Sequence, residues 1–131
     1  MCKDAQAIFA DICQLDKPCS IDTKTGFLHE LKTVSIFIAG FVCTSVSMLN
    51  AKRHQFGKSI QLSQGNTGVT FQGVVKYCKT HEPRIVMLEN VKGLVGDNLK
   101  ACVGQLQAAG YKVIFSGLKL WQQAAASVVS V

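Results

Sequence analysis

The sequence has no acidic residue between Glu30 and Glu82, and no two of its cysteines form a C-x-x-C pair. The first absence leaves a long central stretch whose only charges are cationic. The second removes the common structural zinc pattern, and His29, His54 and His81 stand at no zinc-like spacing from a cysteine pair. Neither G-x-G-x-x-G nor G-x-x-x-x-G-K-[ST] occurs, which argues against the common phosphate loops. Proline is scarce, at Pro18 and Pro83 only. No apolar run reaches the roughly 18 to 20 residues of a membrane span. The longest nearly uncharged stretch, Val34 to Val46, is interrupted by Ser35, Gly40, Thr44 and Ser45. Met1 to Ala10 carries Lys3 and Asp4 and has no apolar run resembling a signal peptide. Neither a metal nor a membrane is expected as a partner.

What is present is enough for one domain: 131 residues, 48% of them hydrophobic. The net charge of +6 favours a polyanionic partner mildly, and the charge is unevenly placed. Lys52, Arg53, His54 and Lys58 cluster in the acid-free stretch. Charge alone reads them first as a solvated loop; the sharper reading is a phosphate-contacting segment. Six cysteines (Cys2, Cys13, Cys19, Cys43, Cys78 and Cys102) accompany no secretion signal, so reduced, intracellular thiols are expected.

Along the chain, Gln6 to Ile12 reads as a short buried strand closed by Asp11, and Asp16 to Glu30 as a polar loop. Val34 to Ala39 is an apolar, β-branched and aromatic strand. Gly40 to Gly68 reads as one long irregular segment, a binding loop or lid or else disorder. Phe71, Val74, Val75 and Cys78 fall at helical spacing, and Pro83 stops that helix. Ile85 to Leu88 is a third strand. Asp97 or Asn98 caps a second helix with the face Leu99, Cys102, Val103 and Leu106, stopped by Gly110. Lys112 to Phe115 is a fourth strand. Alternating strands and helices define an α/β domain, expected here with a parallel sheet covered on both faces. Residues 116–131 form an unassigned tail. In such sheets the ligand site lies beyond the carboxyl ends of the strands, so Asp11, Cys43 and Glu89 are expected on one rim.

The stretch Gly40-Phe41-Val42-Cys43 puts a thiol just past a buried strand. Leu88-Glu89-Asn90-Val91-Lys92 does the same with a carboxyl. In order and placement these two blocks, with Phe9-Ala10-Asp11-Ile12 ahead of them, resemble the DNA (cytosine-5) methyltransferases. That resemblance covers roughly Gln6 to Phe115. It implies part of the Rossmann-like parallel sheet of a class I S-adenosylmethionine-dependent methyltransferase, with residues 1–115 as a partial catalytic domain. It also implies DNA as substrate and S-adenosylmethionine as methyl donor. By resemblance Cys43 is the nucleophile that adds to carbon 6 of cytosine, making carbon 5 nucleophilic. Glu89 inherits the acid that protonates N3, and a closed apolar pocket would raise its pKa for that task. Asp11, Ile12 and Gly40 belong to the cofactor side. Asn90 and Val91 shape the base pocket, and Ser45, Ser47, Lys52, Arg53 and Lys58 supply a mobile loop for flipping and phosphate contact. The location implied is intracellular, and the nucleus in a eukaryote.

Several family features are missing. No F-x-G-x-G loop precedes Asp11, Gln122-Gln123 is followed by no Q-x-R-x-R pattern, and no target-recognition region follows. Val42 stands where the family has proline and Thr44 where it has glutamine. The sequence therefore resembles a central fragment of the catalytic domain. The competing readings are a truncated, inactive fragment that at most binds DNA, and a small α/β nucleotide-binding or protein-interaction domain unrelated to the family.

Overall fold

The computed structural model describes residues 5–120 and 124–130, the residues from 116 onward through their backbone alone. Gln6 to Ile12 do not form the strand expected of them. They run irregularly into a 3₁₀ turn at Ile12–Gln14, which Asp11 caps by accepting from the Cys13 N–H at 2.9 Å. A strand needs a neighbour to take its backbone groups, and here the neighbour is a loop. The Ile8 N–H donates to Asp22 Oδ1 and the Ile8 carbonyl accepts from the Thr23 N–H. The polar stretch read as a loop instead contains a small hairpin, β1 (Cys19–Ile21) with β2 (Leu28–Glu30). Asp22 holds its turn. The Ile8 and Lys24 N–H groups and the Thr25 hydroxyl all donate to its carboxylate, and the two backbone donors lead in lowering its pKa.

The main body alternates strand and helix as the periodicity predicts. It runs β3 (Ile36–Gly40), α1 (Gly65–His81), β4 (Ile85–Asn90), α2 (Gly96–Ala108), β5 (Lys112–Leu120) and β6 (Ala124–Ser130). The sheet order is β3-β4-β6-β5. β3 and β4 pair in parallel, and β6 runs antiparallel between β4 and β5. The domain is thus α/β with a small parallel pairing. The all-parallel expectation fails because the chain after β5 turns back and fills the gap beside β4.

Both crossovers, β3 to β4 and β4 to β5, advance in the same direction, so α1 and α2 lie on one face of the sheet. The core sits there. Phe71, Val74, Val75 and Cys78 of α1 meet Val86 and Leu88 of β4 and Cys102 and Leu106 of α2. The opposite face has no helix over it among the described residues, and Ile36 and Ile38 of β3 are 53% and 71% exposed. β3 and the first four residues of β4 are apolar, yet among the described residues helices cover only one face of the sheet, against the expectation.

α1 starts earlier than its apolar spacing predicts, inside the supposed loop. Gly68 looks like a turn residue in sequence, but it is helical. It is glycine because a Cβ there would collide with the Ser59 carbonyl oxygen. The helix ends as predicted before Pro83, with Glu82 in the left-handed region (φ 46°) and its N–H on the Cys78 carbonyl.

Candidate active site

The parallel register sets Gly40 of β3 opposite Glu89 of β4. The two strands therefore end together and release their chains side by side. A Cβ on Gly40 would lie 3.3 Å from Glu89 Oε2, so the glycine leaves the carboxyl its space. Strand alternation turns Leu88 and Asn90 toward the core and Glu89 away from it. Asn90 is buried, and its Nδ2 donates to the Phe41 carbonyl at 2.8 Å. That bond staples the end of β4 to the chain just ahead of Cys43. Phe41 is buried against Phe71 of α1, ring centroids 5.1 Å apart.

Cys43 follows in a tight turn, its carbonyl accepting from the Val46 and Ser47 N–H groups at 3.0 and 2.8 Å. The thiol residue is half-buried and unpaired. Glu89 is exposed, which departs from the closed pocket expected around it. The reason is its side of the strand: it faces outward over the sheet face that no described helix covers. The rim formed here is made by Gly40, Cys43 and Glu89. Asp11 and Ile12 are held elsewhere, against α1. A Cβ on Gly73 would lie 3.1 Å from Ile12 Cγ2 and from the Cys13 sulfur, and that sulfur lies 3.6 Å from the Val69 carbonyl oxygen. No hydrogen bond joins Asp11 or Ile12 to the rim among the described residues.

The loop after Cys43 is built rather than slack. Asn50 Nδ2 donates to the Thr44 carbonyl, the Lys52 N–H to Asn50 Oδ1, and Arg53 Nη1 to the Met48 carbonyl. Ser45 is buried, its N–H on Thr67 Oγ1 of α1 and its hydroxyl in the space a Gly65 side chain would take. Ser47 is half-buried and accepts from the Leu49 N–H. Lys52 and Lys58 are exposed, and Arg53 is half-buried within a short 3₁₀ turn, Arg53–Phe56.

Two residues that sequence reasoning missed hold this loop in place. Gly93, in the turn between β4 and α2, packs backbone against backbone on Val46. Asn98, expected as a helix cap, is instead buried as the third residue of α2. Its Oδ1 accepts from the Ile60 N–H at 3.0 Å and its Nδ2 donates to the Phe56 carbonyl at 3.0 Å. Its chemistry as an Asn offers no signal, because capping and bridging use the same side chain. Asn98→Ala should cost about 2–3 kcal/mol by stranding two backbone groups. Trypsin should then cut faster at Lys52, Arg53 and Lys58; unchanged urea unfolding and unchanged cleavage would refute that role.

Two further thiols are buried in the core. Burial pushes Cys78 up to about 11 and Cys102 up to about 12. Among the described residues no group of three His, Cys, Asp or Glu side chains could hold a metal ion. Among them, too, no helix is long and apolar enough to cross a membrane.

A thiol and a carboxyl thus leave adjacent parallel strands at one end of an α/β sheet. Residues 2–123 match the model of the C-5 cytosine-specific DNA methylases, and the chain belongs to that family. Over 99 residues, 76% of the chain, it is 30% identical to the DNA (cytosine-5-)-methyltransferase DMT5 of Cryptococcus neoformans var. grubii serotype A. The chain spans about 4% of the length of that relative.

Proposed function

We propose that this chain carries the base-side chemistry of cytosine-5 methylation in DNA, with Cys43 as nucleophile and Glu89 as acid. The observation that carries the reading is the in-register pair Gly40–Glu89, with Cys43 three residues beyond Gly40. The thiolate forms a bond to carbon 6 of a flipped cytosine while the carboxylic acid gives its proton to N3, so the ring gains a nucleophilic carbon 5 without a buried charge. Once carbon 5 has gained the methyl group, elimination restores the ring: water takes the carbon 5 proton, the carbon–sulfur bond breaks to return the Cys43 thiolate, and N3 gives its proton back to the Glu89 carboxylate. Asn90 holds the two strand ends in register through the Phe41 carbonyl, and Val91 follows it at the rim.

The family uses S-adenosylmethionine as methyl donor. Asp11, Ile12 and Gly40, expected on the donor side, do not close around one ligand here. Asp11 is occupied with the Cys13 N–H and Ile12 packs toward α1, whereas Gly40 lies on the rim. What the rim supplies by itself is therefore attack on the base by Cys43 and its protonation by Glu89. The Rossmann-like class I sheet of the family is the fold into which we place β3 to β6.

Duplex DNA carrying 5-fluorocytosine, incubated with the chain and S-adenosylmethionine, is the direct test. A denaturant-resistant protein–DNA adduct is expected, absent in Cys43→Ser and formed on the order of 10²–10⁴ times more slowly in Glu89→Gln. The exposure of Glu89 favours a second reading, a non-catalytic member that holds DNA without reacting. DNA retention with no adduct would establish that reading and remove the first.

A further inference from the structure

The chain on each side of Cys43 is held by a side chain of α1. Two residues before it, Phe41 packs on Phe71, ring centroids 5.1 Å apart. Two residues after it, the Ser45 N–H donates to Thr67 Oγ1 at 3.1 Å. Thr67 and Phe71 are four residues apart on α1, so one turn of helix presents both to the same neighbour. The spacing on the helix thus matches the spacing on the chain leaving β3, with the thiol residue between. Of the three residues after Thr44, Val46 and Ser47 turn their N–H groups back onto the Cys43 carbonyl. Ser45 alone of the three sends its N–H out of the turn. The bond is dry: Thr67 has no solvent exposure and Ser45 is 5% exposed. Without the Thr67 oxygen that N–H has no water to replace it, and the turn must move to find one. A Cβ on Gly65, the first residue of α1, would lie 2.8 Å from Ser45 Oγ, so the seat has no slack on that side either.

We propose that Thr67 is a positioning residue for the Cys43 thiol. Fully buried, it touches no base and no methyl donor. It fixes the backbone two residues past the nucleophile, as Asn90 fixes it two residues before. The inference rests on Cys43 being the nucleophile of the reading above and adds the element that aims it. Held at one point, the segment Phe41 to Ser45 could pivot. Held at both ends, from β4 and from α1, it presents the thiol in one direction. The helix makes the second hold firm: Phe71, Val74, Val75 and Cys78 bury α1 in the core, so Thr67 cannot follow the turn if the turn shifts.

The first readout is the adduct with 5-fluorocytosine DNA, its rate measured against DNA concentration with the full chain. Thr67→Val keeps the shape and loses the acceptor. It is expected to lower the limiting rate by about 10²-fold, while the DNA concentration giving half that rate stays unchanged. Thr67→Ser keeps the oxygen and should restore the rate. Thr70→Val makes the same substitution where the hydroxyl bonds within α1, to the Asn66 and Thr67 carbonyls, and should change neither quantity. Equal losses in the Val and Ser variants of Thr67, or a change in half-saturation alone, would overturn the role. The second readout needs no reaction. By amide hydrogen exchange the Ser45 N–H should be protected in the unaltered chain and exchange about tenfold faster in Thr67→Val, with Val86 and Leu88 of β4 unchanged. An unprotected Ser45 N–H, or one that Thr67→Val leaves as slow as before, removes Thr67 from the turn. If the unaltered chain forms no adduct, the methylation reading falls, and exchange still decides whether Thr67 sets the turn. Should Thr67→Val lose its fold by circular dichroism, Thr67→Ala, which removes the oxygen without crowding, takes its place.

Discussion

Phe71→Ala is expected to destabilise the domain by about 3–5 kcal/mol, the cost of an aromatic truncation in a packed core. Phe71 has no solvent exposure and lies at the centre of the cluster that joins α1, α2 and β4. Its ring also faces Phe41 at 5.1 Å, a pairing worth roughly 0.5–1.5 kcal/mol beyond simple burial. Set against a total stability of about 5–15 kcal/mol, this one change removes at least about a fifth of it. Urea unfolding followed by circular dichroism measures the loss directly. Phe71→Leu, which keeps most of the volume, should cost markedly less. A loss below about 1 kcal/mol for the alanine variant would mean that the cluster is not the core. The change should also reach the site, because Phe41 is the last buried residue before Cys43 and its carbonyl takes the Asn90 amide.

Gly93→Ala is expected to lose about 1–3 kcal/mol, a cost of overpacking. The added methyl would fall on the Val46 carbonyl oxygen, and backbone cannot swing aside as a long side chain does. Gly104→Ala serves as the contrast. Gly104 lies within α2 with open space where its Cβ would be, so alanine there should stabilise by about 0.5–1 kcal/mol through helix propensity alone. Opposite signs from two identical substitutions would show that contact between the two loops, not glycine content, sets the effect. Thermal unfolding of both variants decides it. Matching signs would dismiss the loop-to-loop contact as a constraint. The displaced Val46 should in turn move the Cys43 turn, whose carbonyl accepts the Val46 N–H.

The core strands and helices are legible in the sequence because their signals are strong and local. Ile36 to Ala39 and Ile85 to Leu88 are unbroken apolar runs, and Phe71, Val74, Val75 and Cys78 repeat at helical spacing. The proximity of the Cys43 and Glu89 segments is legible for the same reason, since parallel strands joined by a helix end on one side. Other features depend on partners distant in sequence. Gly68 and Gly93 resemble turn glycines until the Ser59 and Val46 backbones are seen pressing on them. Ser45 reads as a solvent-facing hydroxyl, yet Thr67 of α1 draws its N–H inward. Residues 124–130, rich in alanine and serine, carry no alternation to announce a strand, and β6 exists because the β4 and β5 edges accept it. The outward direction of Glu89 follows from which face the helices choose, and a single strand's sequence does not state that.

The insertion of β6 between β4 and β5 also orders events in time. Among the described residues β5 has no hydrogen-bonded neighbour other than β6. As the chain leaves the ribosome, β3, α1 and β4 can assemble from nearby sequence, but β5 must wait for a strand synthesised after it. The sheet closes through pairings such as Ile85 with Ser130, which span a large loop and so form slowly. A nascent chain halted before residue 124 would therefore hold the Cys43 and Glu89 segments with the β4 edge still open.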